Sequence, residues 1–217
     1  MKQIAVLGLS RFGISVAKSL EKLDVEVMGV DIDPEKVDDM AREMTHVVQA
    51  DVLDDDALDA LGLRNFDVVV LSIKDVEISC LATINIKDRG VPYIVTQAIS
   101  DAHAEILRRI GADRVIIPEK DMGARLARRL GSENVIDYMD LSDDYGIMEI
   151  AAPDEWVNRT LAESDLRNRH GINVLAIRAA NGAMVSPRAD SLIRETDVLV
   201  VMGAHTDLNK VSHLTHR

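Results

Sequence analysis

The sequence predicts an α/β fold, a doubly wound parallel sheet followed by a small α+β unit. Three observations carry that prediction. Short β-branched runs alternate with helical patterns through the first 131 residues, those runs are apolar along most of their length, and the alternation stops after Arg129-Leu-Gly-Ser132. A strand that is apolar on both faces must be covered on both faces, which a parallel sheet with helical crossovers achieves.

Six strands are expected in the first part: Gln3 to Leu7, Val25 to Val30, His46 to Ala50, Asp67 to Leu71, Tyr93 to Thr96 and Arg114 to Ile117. Between them, Phe12 to Leu23, Pro34 to Met44 and Ala102 to Ile110 repeat apolar residues at the spacing of one helix face. Their ends are signed as well. Asp33-Pro34 supplies an N-cap and a proline for the first helical position, Ser100 precedes another helix, and Arg89-Gly90-Val-Pro92 reads as a helix stop before a strand. Asp54-Asp55-Asp56 fits the first turn of a short helix, where acids complement the dipole, better than a metal cluster.

Beyond residue 144, Ile147 to Ala151, Ile172 to Ile177 and Asp197 to Met202 read as strands. A helix is expected from Leu161 to Arg169, and the turn Ala180-Asn-Gly182 leads into Ala183-Met-Val185. The expected organisation is therefore a nucleotide-binding unit over residues 1–131, a connector over 132–144 and a small lobe over 145–217.

Composition narrows the function. The 217 residues are 47% hydrophobic and 29% charged, which suits domains with real cores. The net charge of −12 divides evenly, with 17 Lys and Arg against 23 Asp and Glu in residues 1–131 and 8 against 14 in 132–217. No basic module hides in the average, so nucleic acid is not an expected partner. The single cysteine, Cys80, has no internal disulfide partner and reads as a packed core thiol. No basic leader with a long apolar run opens the chain, and no stretch nears the roughly 20 apolar residues that span a bilayer. A cytoplasmic protein is expected, meeting the membrane only through a partner.

The first strand runs into Gly8-Leu-Ser-Arg-Phe-Gly13, a glycine loop that opens a helix and could seat a diphosphate. Asp31 ends the second strand 23 residues after Gly8, close to the spacing at which an acid holds a ribose diol; an acid there disfavours a 2′-phosphate. The plainer alternative is that both glycines only permit tight packing and that Asp31 caps a helix. Catalytic residues are harder to find. The fourth residue after Tyr93 is Gln97, after Tyr138 Ser142 and after Tyr145 Glu149, so no Tyr-x-x-x-Lys pair exists. Nucleophile elbows, Walker lysine loops and zinc helices are also absent, and His205, His213 and His216 read as solvated. A nucleotide site without an acid or base points to sensing.

Gly8 to Gly13, Asp31-Ile-Asp33, Ile110-Gly-Ala-Asp113 and above all Pro118-Glu-Lys-Asp-Met-Gly123 resemble the RCK (KTN) regulatory subunits of Ktr/Trk potassium uptake systems. The likeness covers nearly the whole chain. It implies a Rossmann-like N-terminal lobe, a crossover helix and a TrkA-C type lobe. It also implies homodimers assembled into an octameric ring on the cytoplasmic face of a membrane-embedded potassium-translocating subunit of the KtrB/TrkH type. The regulatory ligands it implies are ATP and ADP, or alternatively NAD and NADH, with a divalent cation, Mg or Ca, beside ATP.

Carried onto this sequence, the nucleotide site would comprise Gly8, Ser10, Arg11, Phe12 and Gly13 at the phosphates and Asp31, Ile32 and Asp33 at the ribose. Asp51, Ile73 and Lys74 would flank the adenine, Ala98 and His103 would complete the pocket, and Glu119 would help hold the cation between subunits. Arg11 suits this role on its own chemistry, because a forked, permanent cation matches phosphate and is out of place at a helix start otherwise. Ser10 replaces the usual second glycine and either crowds a diphosphate or donates to it. In the second lobe the resemblance implies cyclic di-AMP binding at Arg167, Ala176 and Pro187, with an ordinary lobe-to-lobe interface as the alternative. Two other readings of the chain stay open: an NAD(H)-dependent oxidoreductase of Rossmann type, and a purely structural ring protein.

Overall fold

The structure, a computed structural model, describes residues 2–132, 134–182 and 184–215, and of Met184 and Val185 the backbone alone. The chain divides into two compact units, Met1–Asp121 and Met122–Arg217.

In the first unit, β1 (Gln3–Leu7), β2 (Glu26–Asp31), β3 (His46–Gln49), β4 (Val68–Leu71), β5 (Ile94–Gln97) and β6 (Arg114–Ile116) are joined by five helices. These are α1 (Arg11–Glu21), α2 (Pro34–Met40), α3 (Asp55–Leu61), α4 (Val76–Asp88) and α5 (Asp101–Arg109). Every pairing is parallel and the order is β3-β2-β1-β4-β5-β6, the doubly wound arrangement of a Rossmann fold. All six expected strands are present.

The apolar strands are explained by two cores. Ala5, Leu7, Val69 and Leu71 face one side of the sheet, where Leu58 of α3 and Ile86 of α4 cover them. Ile4, Val6, Val68 and Val70 face the other, under Ala17 of α1 and Met40 of α2. Alternate residues of β1 and β4 thus enter different cores, so neither strand has a polar face. The caps are where the sequence places them: Asp33, Asp54 and Ser100 each accept backbone N–H bonds at the start of α2, α3 and α5.

The second unit is antiparallel. α6 (Pro118–Leu130) contains the boundary between the units. After it come β7 (Val135–Asp140), β8 (Tyr145–Ala151), α7 (Leu161–Ser164), α8 (Leu166–His170), β9 (Ile172–Arg178), β10 (Met184–Val185), β11 (Val198–Ala204) and α9 (His205–Val211). The sheet order is β10-β9-β11-β8-β7. Strict alternation of buried residues in β8 and β11 gives a single covered face, filled by Met148, Ile150, Leu199 and Val201 beneath Leu166 of α8 and Leu208 of α9.

Two expectations are corrected. The stretch 132–144, expected as a connector, contributes β7 to this sheet; its acids Asp137 and Asp140 pair with Arg125 and Arg128 of α6, which lets a charged sequence serve as an edge strand. The helix expected from Leu161 to Arg169 is two short helices, broken at Asp165, which adopts the left-handed conformation at φ 45°. Among the described residues no helix is long and apolar enough to cross a membrane.

Leu71, fully buried at the centre of the parallel sheet, gives the expected cost of damaging this core. Leu71→Ala should lose about 2–5 kcal/mol of unfolding free energy, read from urea denaturation.

Candidate functional site

β1 and β4 are neighbours whose following connections leave to opposite faces, so a crevice opens beyond their C-terminal ends. A cavity of about 350 Å³ lies there, within the first unit. Gly8, Ser10 and Ser72 line one part of it, Asp31, Lys36, Asp51 and Lys74 supply charge, and Ile32, Leu53, Ile73 and Ile78 supply apolar wall. Ile32 is 60% exposed.

Two glycines shape the loop. Gly8 has φ +93° and a Cβ there would stand 2.5 Å from the Ser72 carbonyl oxygen, while a Cβ on Gly13 would overlap the Gly8 carbonyl. The loop is stapled on both sides, by Gly8 N–H donating to Val30 O at 2.8 Å and by Ser72 N–H donating to Leu7 O at 2.7 Å. Ser10 is the N-cap of α1 and its Oγ accepts from Gly13 N–H at 3.2 Å. The N–H groups of Arg11 and Phe12 have no acceptor among the described residues, so they stand at the positive end of α1, where an anion is favoured. The Arg11 side chain is exposed and forms no ion pair among the described residues.

Asp31 is buried and highly engaged. Oδ2 accepts from Leu9 N–H at 2.7 Å, Oδ1 accepts from Asp33 N–H at 3.0 Å, and Lys36 Nζ lies 3.2 Å from Oδ2. The carboxylate therefore ties the phosphate loop to the start of α2, with an ammonium group that a sugar hydroxyl could replace. Asp51 accepts from Leu53 N–H at 2.9 Å and lines the cavity. Lys74 pairs with Glu119 at 3.1 Å. The Glu119 carboxyl is held below the usual carboxylate range, first by its own backbone N–H and then by the Lys74 ammonium.

The expected site residues thus fall into two sets. Gly8, Ser10, Asp31, Ile32, Asp51, Ile73 and Lys74 line the cavity together, with Arg11, Phe12 and Gly13 following Ser10 in the first turn of α1 and Glu119 one ion pair away. Asp33, Ala98 and His103 do not line it. Asp33 caps α2, and Ala98 is packed with Ala104 and Leu107. His103 is 2% exposed; its Nδ1 accepts from Ile99 N–H at 3.4 Å, which leaves Nε2 to donate to Ser79 Oγ at 2.8 Å. Burial pushes the His103 pKa down. Cys80 is half-buried in α4, and burial pushes its thiol up.

Sequence reading missed Lys36 as the partner of Asp31, Ser72 as the partner of Ser10, and Gln97 as the partner of Ser72. Ser10 Oγ lies 2.6 Å from Ser72 Oγ, whose hydroxyl donates to Gln97 Oε1 at 2.8 Å. Among the described residues no group of three or more His, Cys, Asp or Glu could hold a metal ion. Glu119 brings one carboxylate, so a cation there would depend on phosphate oxygens, as magnesium sites commonly do.

In the second unit Arg167 is exposed on α8, Ala176 is half-buried on β9 opposite Val200, and Pro187 is half-buried beyond β10. A larger cavity, about 580 Å³, also belongs to this unit, with Val135, Tyr138, Met148, His205 and Leu208 in its lining. His205 is not the solvated residue expected: Tyr138 Oη is 2.5 Å from its Nδ1, and its Nε2 is 3.0 Å from the Ser142 carbonyl. Arg128 sits over the Tyr138 ring at 4.2 Å. His213 is exposed as expected, and His216 lies outside the described residues. The smaller cavity is the functional candidate because it alone combines the switch point, the glycine loop, a helix N-terminus and an acid at the second strand's end.

That combination defines the class: a nucleotide-binding α/β protein with an appended α+β lobe. Residues 4–118 match the TrkA-N domain and residues 147–216 the TrkA-C domain. The chain is 41% identical over 210 residues to the Ktr system potassium uptake protein C of Bacillus subtilis (strain 168), covering 96% of this chain and 95% of that protein. It is 31% identical over 215 residues to the Ktr system potassium uptake protein A of Vibrio alginolyticus, covering 98% of each. The chain belongs to the Ktr family of potassium uptake proteins, built from TrkA-N and TrkA-C domains. Its fold is also that of the GsuK RCK domain crystal structure, with a TM-score of 0.70 at 17% identity over 100% of this chain and 48% of that one. The chain thus spans about half of that solved polypeptide.

Two outcomes are expected. Gly8→Ala should cost about 1–3 kcal/mol from backbone strain alone, measured by urea denaturation, and should abolish ligand binding by shifting the loop off Ser72. An unfolded histidine takes its proton near pH 6.5, whereas buried His103 resists it to lower pH. Between those values the unfolded state binds more protons, so this stability contribution is full above about pH 6.5 and falls as the pH drops below it. The urea midpoint of His103→Gln should fall less steeply over that interval than that of the unsubstituted protein.

Proposed function

We propose that this protein is the nucleotide-sensing regulatory subunit of a potassium-translocating membrane protein, binding its ligand in the β1/β4 crevice. The observation that carries the reading is the anion-seeking end of α1, with Arg11 beside two N–H groups that have no acceptor among the described residues, set against a ribose-type acid. Arg11 and the backbone N–H groups take the phosphates, Asp31 takes the ribose diol in exchange for Lys36, and the base lies against Ile32, Leu53 and Ile78. Asp31 favours a free 2′-hydroxyl, which suits ATP, ADP, NAD and NADH over NADP. Where ATP is the ligand, Glu119 holds a divalent cation together with its phosphates and releases Lys74.

Gating follows if the ligand binds two arrangements of the assembly unequally, since a ligand shifts an equilibrium only by its differential affinity. A homodimer, extended to an octameric ring, supplies such an assembly. α6 supports this part of the reading, because none of its residues is buried and its apolar Met122, Leu126 and Leu130 recur every four residues on one stripe. The ring acts at the cytoplasmic face of the membrane through its potassium-translocating partner.

Calorimetry with ATP, ADP, NADH and cyclic di-AMP, with and without magnesium or calcium, tests the ligand. At a hundredfold excess over Kd the true ligand should add about 2.7 kcal/mol of stability, and Arg11→Ala and Asp31→Ala should each lose most of that gain. ATP and ADP are expected to give different solution-scattering profiles; identical profiles would count against gating by this route, and substrate-dependent NADH oxidation would replace it with catalysis.

A further inference from the structure

Behind the phosphate loop, side chains from three separate elements form one hydrogen-bonded chain. Ser10 Oγ at the start of α1 lies 2.6 Å from Ser72 Oγ beyond β4, and the Ser72 hydroxyl donates to Gln97 Oε1 at 2.8 Å. Ser10 and Ser72 line the crevice. Gln97, the last residue of β5, is 1% exposed, and its Nε2 has no hydrogen-bond partner among the described residues. A buried amide NH₂ without an acceptor is a standing cost, and such groups are rare enough to call for a reason.

Each hydroxyl has one proton, so the chain has a direction. Ser72 gives its proton to Gln97; the Ser10 proton therefore goes to Ser72, while Ser10 Oγ accepts from Gly13 N–H. In this direction neither serine offers a proton to the crevice. Half a turn of the Gln97 amide exchanges its oxygen and nitrogen in the same volume. Nε2 then donates to Ser72, Ser72 donates to Ser10, and the Ser10 proton is released toward the crevice. The unpartnered atom becomes a carbonyl oxygen, which proteins tolerate buried more readily than an N–H. A phosphate oxygen beside the Arg11 and Phe12 N–H groups would accept the released proton in a charge-assisted bond.

We propose that Gln97 is a positioning residue for phosphate recognition: the chain runs inward without an anion and reverses when a phosphate binds, turning Ser10 from a cap that uses its own proton into a donor to the ligand. The proposal rests on the nucleotide reading of the crevice and adds which group the protein senses. The phosphate is detected by a buried amide at the end of β5, three residues before the Ser100 cap of α5. The nucleoside part of the ligand has no share in the reversal.

Calorimetry on the full chain with ADP and with adenosine separates the two parts. Ser10→Ala should weaken ADP about tenfold and leave adenosine within about twofold, whereas Gln97→Met, which keeps length but removes the acceptor that draws the serine protons inward, should bind ADP at least as tightly as the unsubstituted protein and leave adenosine within about twofold. The double variant should match Ser10→Ala, because without the Ser10 hydroxyl the amide has no proton to redirect toward phosphate. In the unsubstituted protein, the Gln97 side-chain amide signals in a ¹⁵N-correlated NMR spectrum, assigned by their loss in Gln97→Met, should move with ADP and stay with adenosine. Equal losses for ADP and adenosine in Ser10→Ala, weaker ADP binding in Gln97→Met than in the unsubstituted protein, or amide signals that ADP leaves in place would overturn the proposal. If the unsubstituted protein binds neither ligand, the nucleotide reading itself falls and this proposal with it; if it binds ADP and only the Gln97 effects are missing, the nucleotide reading stands alone.

Discussion

The approach of the Gly8 backbone to the Ser72 carbonyl is the constraint on which the rest of the first unit depends, because it decides how closely the ends of β1 and β4 can lie. With no side chain at Gly8 the two strands run in contact to their last residues, and the loop that follows turns sharply enough to start α1 at Arg11. Had the loop been wider, α1 would begin farther from β4, and Ser10 could not reach Ser72. Gly13 repeats the requirement one turn later, against the Gly8 carbonyl. The crevice is therefore a by-product of close packing, and its polar lining is whatever the packed elements leave facing outward.

Asp31 turns that geometry into a single mechanical part. A carboxylate that accepts Leu9 N–H with one oxygen and Asp33 N–H with the other holds the β1–α1 and β2–α2 loops in fixed relation. On the proposed reading, a sugar that displaced Lys36 from Asp31 would be felt in the glycine loop through the Asp31–Leu9 hydrogen bond. For a protein whose task is to report what is bound, such coupling matters more than tight binding at either point. Of the three cations here, Lys36 and Lys74 are paired with Asp31 and Glu119, while Arg11 has no acid beside it among the described residues.

What could be read from the sequence was what is local in the chain. Gly8, Asp33, Asp54, Ser100 and the alternating strands declare themselves within a few residues of the structure they make. Lys36 could have been suspected, since it follows Asp31 by five residues at a helix start. The contacts of Ser72 could not, because it meets Ser10 from 62 positions away and Gln97 from 25, and a serine is not diagnostic of either. β7 was hidden by its own acids, whose charge is neutralised by arginines of α6, and His205 looked solvated because its partner, Tyr138, lies on that unrecognised strand. Misreading one edge strand therefore cost two conclusions.

The division of β1 between two cores also bears on how the chain is made. β1 lies between β2 and β4, and its residues need helices on both faces before either set is covered. During synthesis β2 is complete at residue 31, but α3 begins only at residue 55, β4 at 68 and α4 at 76. Until then Ile4 to Leu7 presents an unpaired edge and one bare apolar face, in the order of events that makes parallel sheets slow to form. Of the six strands in this sheet, β1 is thus the one that waits through the longest stretch of chain for a neighbour it needs.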